Sequence, residues 1–212
     1  MMDSPPASFD PNILIARVRR LAMLDTTVFD EVRMDRTATV PAIVVVVGSI
    51  LLFGIGGWLW WLFNTDFEGS SAPSGGDILL RSTIIGTILG VLFWAAWVGI
   101  TYVMLSQIFR ARVDLNDLIR VMGFAAAPLA LGVIMFIPVL EFAIGLTAVG
   151  LMLATTVIAV QSVTDAPAGR VLAATSAGFL LWAIMLALFV GEENAYAPGF
   201  FIFDFGVEAF RS

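Results

Sequence analysis

The 212-residue chain contains no cysteine, no histidine and no lysine; all eleven of its basic residues are arginine. Without cysteine there are no disulfides, thiolate nucleophiles, iron–sulfur ligands or thiolate zinc sites. Without histidine the usual haem and transition-metal ligand is missing, together with the usual proton shuttle at neutral pH. Without lysine there is neither Schiff-base chemistry nor a P-loop. Charge is scarce as well. Only 13% of residues are charged and 59% are hydrophobic, whereas a soluble domain carries about 25% charged residues. That balance points to a membrane protein.

The charged residues mark five apolar runs by where they stop. None falls between Arg36 and Asp66, Arg81 and Arg110, Arg120 and Glu141, Glu141 and Asp165, or Arg170 and Glu192. The gaps hold 29, 28, 20, 23 and 21 residues, and about 20 suffice for a helix to cross a hydrocarbon core. Backbone polar groups in lipid must be satisfied within the segment, which selects helices. The expected fold is therefore all-α: a polytopic bundle of five transmembrane helices over 40–63, 84–109, 121–137, 142–163 and 171–190. Spans three and four are joined only by Pro138-Val139-Leu140-Glu141, so a re-entrant hairpin stays open as an alternative.

Orientation follows from the arginines. With the N-terminus inside, Arg17, Arg19, Arg20, Arg33, Arg36, Arg110, Arg112, Arg120 and Arg170 are cytoplasmic, and only Arg81 and Arg211 lie outside. This positive-inside bias sets the N-terminus cytoplasmic and the C-terminus outside, and the membrane expected is that of the cell (inner or plasma). Trp58, Trp60 and Trp61 then sit in the outer aromatic belt. Residues 1–12 are polar and proline-rich, and no apolar stretch begins before Val40, so no signal peptide is expected.

Residues 1–39 form a cytoplasmic segment. Asp10-Pro11 is a helix start, and Asn12–Leu24 is amphipathic, with Leu14, Val18 and Leu21 on one face. Asp25 or Thr26 can cap a second short helix through Val28, Phe29 and Val32. Arg17, Arg19, Arg20, Arg110, Arg112 and Arg120 are candidates for contact with the membrane surface or a partner. The alternative is an N-terminal helix packed on the ends of the spans. Residues 64–82 read as a flexible external loop, and 191–212 as an external aromatic tail, interfacial or partner-bound.

The spans offer little chemistry. None carries an ionisable group near its middle, as coupled transporters do. Glu141, at the turn between spans three and four, is read as an ordinary helix-start residue. Ser49, Ser106 and Ser176 lack a base, and no pair of carboxylates shares a span; no enzyme, metal site or cofactor is expected. Gly86-x-x-x-Gly90 matches the close-contact helix motif, and Gly54, Gly56 and Gly57 thin span one. Trp94, Trp97 and Trp182 lie near span centres and either pack or line a cavity. Thr101, Thr155, Thr156 and Gln161 can bond across helices or to their own backbone.

Span three is the most distinctive. Asp114 can cap it, Asp117 lies in its first turn, and Arg120 can snorkel to the inner headgroups. Gly123 and the three alanines after Phe124 admit a close neighbour, and Pro128 kinks the helix. Here Gly123-Phe124-Ala125-Ala126-Ala127-Pro128, led in by Leu118-Ile119-Arg120, resembles the glycine–aromatic–x–x–x–proline signature of the Yip family, the Ypt/Rab-interacting membrane proteins. The lead-in Leu24-Asp25 to Phe29-Asp30-Glu31 and the five spans are similar too, over about residues 15–190. Phe124 stands where tyrosine is more usual, the long acidic N-terminus of eukaryotic members, which would bear on Rab-GTPase binding, is missing, and the lean, arginine-only sequence resembles a prokaryotic (bacterial) member. The resemblance implies a non-enzymatic scaffold or adaptor that organises partner proteins or bilayer shape. Two other readings are an accessory subunit of a larger membrane complex and a channel or transporter for a neutral or lipid substrate. The partners expected are the bilayer and proteins within it, with a homo-oligomer open and no nucleic acid.

Overall fold

The computed structural model describes residues 10–64, 76, 79–191 and 194–195. Helix α1 (Pro11–Ala22) starts as its residues dictate: Asp10 accepts a hydrogen bond from the Asn12 amide at 2.8 Å, and proline takes the first helical position. It ends in a Schellman turn, with Leu24 N–H donating to Leu21 O and Asp25 N–H to Arg20 O. Leu24 supplies the left-handed residue, φ 62°, where glycine is usual. Helix α2 (Val28–Met34) follows, and a 3₁₀ turn (Arg36–Ala38), capped by Asp35, leads into α3 (Thr39–Asn64).

Helix α4 (Gly86–Val103) is extended at both ends by π-helical turns, Leu79–Ile85 and Met104–Ile108. Helix α5 (Leu115–Ala125) is capped by Asp114, which accepts from the amides of Asn116 and Asp117. It continues as a 3₁₀ helix over Ala127–Ile134. Helices α6 (Glu141–Ser162) and α7 (Ala168–Phe189) complete the bundle, and Val190–Gly191 pairs antiparallel with Asn194–Ala195. Five helices are long and apolar enough to cross a membrane: Arg36–Phe63, Leu79–Ile108, Leu115–Ile134, Glu141–Ser162 and Ala168–Leu188. The stretches 65–75 and 196–212, which hold most of the expected external loop and tail, lie outside the described residues.

The third span starts at Leu115, behind the expected Asp114 cap and six residues before the apolar run 121–137, and at Pro128 its winding changes. Proline has no N–H to give the carbonyl four residues back, so the backbone tightens to three-residue bonds: Leu129 N–H donates to Ala126 O and Met135 N–H to Gly132 O, both at 3.0 Å. The tighter helix is also longer per residue. Eleven α and eight 3₁₀ residues reach about 32 Å at 1.5 and 2.0 Å each, enough for a hydrocarbon core of about 30 Å.

Small residues set the helix crossings. A β-carbon built on Gly56 of α3 would lie 1.9 Å from Gly132 O, and one on Gly132 would meet the Phe53 ring at 2.2 Å. One on Gly123 would meet Ala42 Cβ at 2.7 Å, so α3 and the third span run in parallel contact along their lengths. Gly90 abuts Ile50 of α3, which makes its face an intrachain contact, and Gly86 is buried on α4. On the other side of α4, Gly178 of α7 admits Trp97, whose indole N–H donates to Thr175 O at 2.9 Å. Trp97, Phe179 and Trp182 form a ring cluster with centroids 5.4–5.9 Å apart, so Trp97 and Trp182 pack together, and Trp94 is buried on the same helix as Trp97.

These crossings predict an asymmetric cost of adding one methyl group. Gly56→Ala should lower stability by about 1–3 kcal/mol, the usual cost of overpacking. Gly150→Ala, where no atom lies within 4 Å, should be neutral or stabilise by up to about 1 kcal/mol. Unfolding titrations in mixed micelles measure both, and equal tolerance would refute the close crossing.

Candidate functional site

The sequence-distinctive residues converge where the N-terminal helices meet the third span. Helix α2 turns Val28, Phe29 and Val32 inward, all buried. Its C-terminal end is braced by two arginines. Arg33 donates to Ser162 O at 2.5 Å, satisfying a last-turn carbonyl of α6, and Arg120 donates to Arg33 O at 3.2 Å. Each guanidinium thus meets a helix C-terminus, where carbonyls lack intrahelical partners and the dipole favours cations. Arg120 also donates to Asn116 O and pairs with Asp117.

Helix α1 is clasped to the same end by ion pairs. Arg17 reaches Asp35 at 2.8 Å, and Arg20 reaches Asp25 at 2.8 Å and Glu31 at 2.5 Å. Hydrogen bonds from Thr27 and then from Arg20 hold the Asp25 carboxyl below its usual value. Burial pushes Asp35 up, but bonds from Thr37 and Arg17 outweigh it and leave its pKa lowered. The bond to Glu31, then that to Asp25, raises Arg20 above the ordinary arginine value.

The six candidate surface arginines therefore divide. Arg120 is buried rather than reaching headgroups, because its donors are taken by Arg33 O, Asn116 O and Asp117. Arg17 and Arg20 are tied to carboxylates of α1's own neighbourhood. Arg19, Arg110 and Arg112 are exposed. Of these, Arg112 contributes its backbone N–H to Asp165 at 2.8 Å, joining the 109–114 and 163–167 connections. Arg170 lies over the Phe109 ring at 5.8 Å and donates to Phe109 O.

Four residues of the six-residue motif, Phe124, Ala125, Ala127 and Pro128, line one wall of a cavity. Gly123 gives α3 its close approach, Phe124 is buried, and Pro128 lies at the change in winding. Leu129 N–H has turned to Ala126 O, so Ala125 O loses its α-helical partner, and the Thr155 hydroxyl of α6 donates to it at 2.9 Å. Between α1, α2, the third span and α6 lies a cavity of about 320 Å³, lined by Leu21, Leu24, Phe29, Phe124, Pro128 and Leu131 among others, with no titratable group in its lining. Such a space binds by shape and apolar contact alone. Sequence reasoning missed Leu24, Arg33, Leu131 and Gly132 as participants. No local signal could have found the cavity, whose walls come from segments more than a hundred residues apart.

Five apolar helices with a buried polar brace at one end define a multi-pass membrane protein. A family model described as the Yip1 domain matches residues 24–191, and the chain belongs to the Yip1 family. The matched stretch begins at Leu24 and takes in α2, all five spans and the cavity wall apart from the α1 residues Val18, Leu21 and Ala22. No curated protein and no solved structure matches the chain.

The clasp should be pH-sensitive in one direction. Depressed carboxylates contribute stability above their unfolded value of about 4, and that contribution is lost as pH falls through their folded values. Spin labels at positions 12 and 112 should give a narrow distance distribution at pH 7 that broadens below about pH 4. The Asp25→Asn/Asp35→Asn variant should broaden it already at neutral pH. A distribution unchanged down to pH 3 in both proteins would rule out the carboxylates as the clasp.

Proposed function

We propose that this protein is a non-enzymatic membrane scaffold that organises partner proteins, or the shape of the bilayer, through the surface of its N-terminal helices. One observation carries the reading. Helix α1 buries Leu21 and packs Leu14 and Val18 against the body, yet it also leaves Ile13, Ile15 and Met23 exposed, each by half or more. A helix that is apolar on both its docked and its open side is unfinished in water. The open side is completed by lipid or by a partner's apolar surface. Membership of a family not known for catalysis supports the same reading.

In this reading the spans cross fully and the N-terminal helices face the cytoplasm at the cell membrane, as the arginine bias favours. The absence of cysteine makes orientation simple to test with an impermeant thiol reagent. A single cysteine at position 139 should label in intact cells, and one at 36 only after lysis; the reverse pattern would overturn the orientation.

The scaffold role is tested by removing residues 1–24, which spares the buried α2, and by the double variant Ile15→Glu/Met23→Glu. Proteins that copurify with the full chain from native membranes in mild detergent should be lost from both variants. Membrane insertion and monodispersity should be unchanged. Retention of the same partners at the same stoichiometry would sink the proposal.

A further inference from the structure

We infer that the cavity behind α1 holds one acyl chain of an anionic phospholipid from the leaflet on the N-terminal side. The inference rests on the membrane placement of the spans and needs no protein partner.

The position of the cavity sets the first constraint. Arg120, Arg33 and Ser162 O mark a polar level at the N-terminal end of the bundle. Phe124 lines the cavity one turn beyond Arg120, and Leu151, also in the lining, is eleven residues from Ser162 along α6. Eleven helical residues cover about 16 Å, close to half of a hydrocarbon core of about 30 Å. Along α6 the lining thus reaches about the middle of the bilayer, and along the third span it continues to Ile134, so the cavity runs from the polar level inward through the hydrocarbon layer, where acyl chains lie.

Size and chemistry set the next. At about 30 Å³ for each water-sized group, 320 Å³ holds on the order of ten methylenes. A helix with its side chains is about 10 Å across and does not fit, which argues against a partner's transmembrane segment. The lining carries no charge. Its one hydroxyl, Thr155, already donates to the protein backbone. A polar soluble ligand would find nothing to bond.

The mouth supplies the remaining observations. Leu24 lines the cavity yet is 73% exposed, and it is held at φ 62°, which a leucine adopts only under strain. Glycine would relieve that strain but would remove an apolar side chain from the rim. Arg19 is exposed, lies one turn from the lining residue Ala22, and has no acidic partner among the described residues. Arg17 and Arg20 on the same helix are neutralised by carboxylates. The free guanidinium beside the mouth suits a phosphate at the polar level, with the acyl chain passing Leu24 into the cavity.

The test uses the full chain in proteoliposomes of phosphatidylcholine with a trace of phosphatidylglycerol bearing a diazirine on one acyl chain. After photolysis, peptide mapping should find adducts at Leu24 and Leu131 well above those at Leu172, which is exposed on the far helix α7. Unlabelled phosphatidylglycerol should suppress the cavity adducts and leave Leu172 unaffected. Ala130→Trp, whose indole fills the space of roughly four methylenes, should cut them at least about tenfold. Arg19→Gln should weaken competition by phosphatidylglycerol about fivefold. Wild-type competition decides the matter if the tryptophan variant does not fold. Uniform adducts, or cavity adducts that no competitor suppresses, would overturn the assignment, and equal competition by phosphatidylcholine would overturn the anionic headgroup. Photocrosslinking of a protein segment from native membranes to residue 131 would show another occupant and overturn it as well.

Discussion

The structure depends on one constraint, that no backbone polar group in the hydrocarbon layer can be left without a partner. Pro128 brings that constraint to bear in the middle of the third span. Its missing donor would leave carbonyls unsatisfied in a plain α-helix, and the chain answers in two ways. The backbone tightens into a 3₁₀ helix, with Leu129 and Met135 donating three residues back. Thr155 from the neighbouring helix then donates to Ala125 O. The change in winding also lengthens the span, so a short apolar run still covers a bilayer's thickness. Because a 3₁₀ helix is slimmer than an α-helix, Gly132 can meet the Gly56 backbone and the Phe53 ring at close contact.

The same rule governs the N-terminal end. Helix ends present carbonyls without intrahelical partners, and the ends of α2 and α6 are closed by Arg120 and Arg33. These two residues convert a short, seven-residue helix, too short to be stable alone, into a fixed part of the bundle. Helix α1 then rests on α2 through ion pairs and on the third span through Leu21 and its apolar neighbours. The cavity is what remains between a helix held at its polar side and a span narrowed by proline. Its lining combines the motif residues Phe124 and Pro128 with Leu24 at the turn into α2, which joins the two parts of the family resemblance in one place.

Much of this was legible in the sequence, for identifiable reasons. The five spans follow from charge spacing, since a charge at the bilayer centre is costly enough to be excluded. The caps at Asp10 and Asp114 follow from local hydrogen bonding, which needs no tertiary context. The interruption at Pro128 was readable too, although the form it took was not. A kink and a switch to 3₁₀ winding both answer the missing N–H, and the choice rests on whether a neighbour can approach closely enough, here Gly56 of α3.

The arginines show the other side. Nine arginines on one side of the membrane read as a surface charge, because a sequence counts charges and does not show their partners. In the folded chain Arg17, Arg20, Arg33 and Arg120 are engaged with carboxylates and carbonyls, some more than eighty positions away. Composition and spacing by themselves determined the solvent, the number of spans and the positions of the helix starts, all of which depend on local chemistry. Tertiary structure alone decided which arginines stay free, how the proline is accommodated and that a cavity exists, because each depends on which distant backbone comes within a few ångströms.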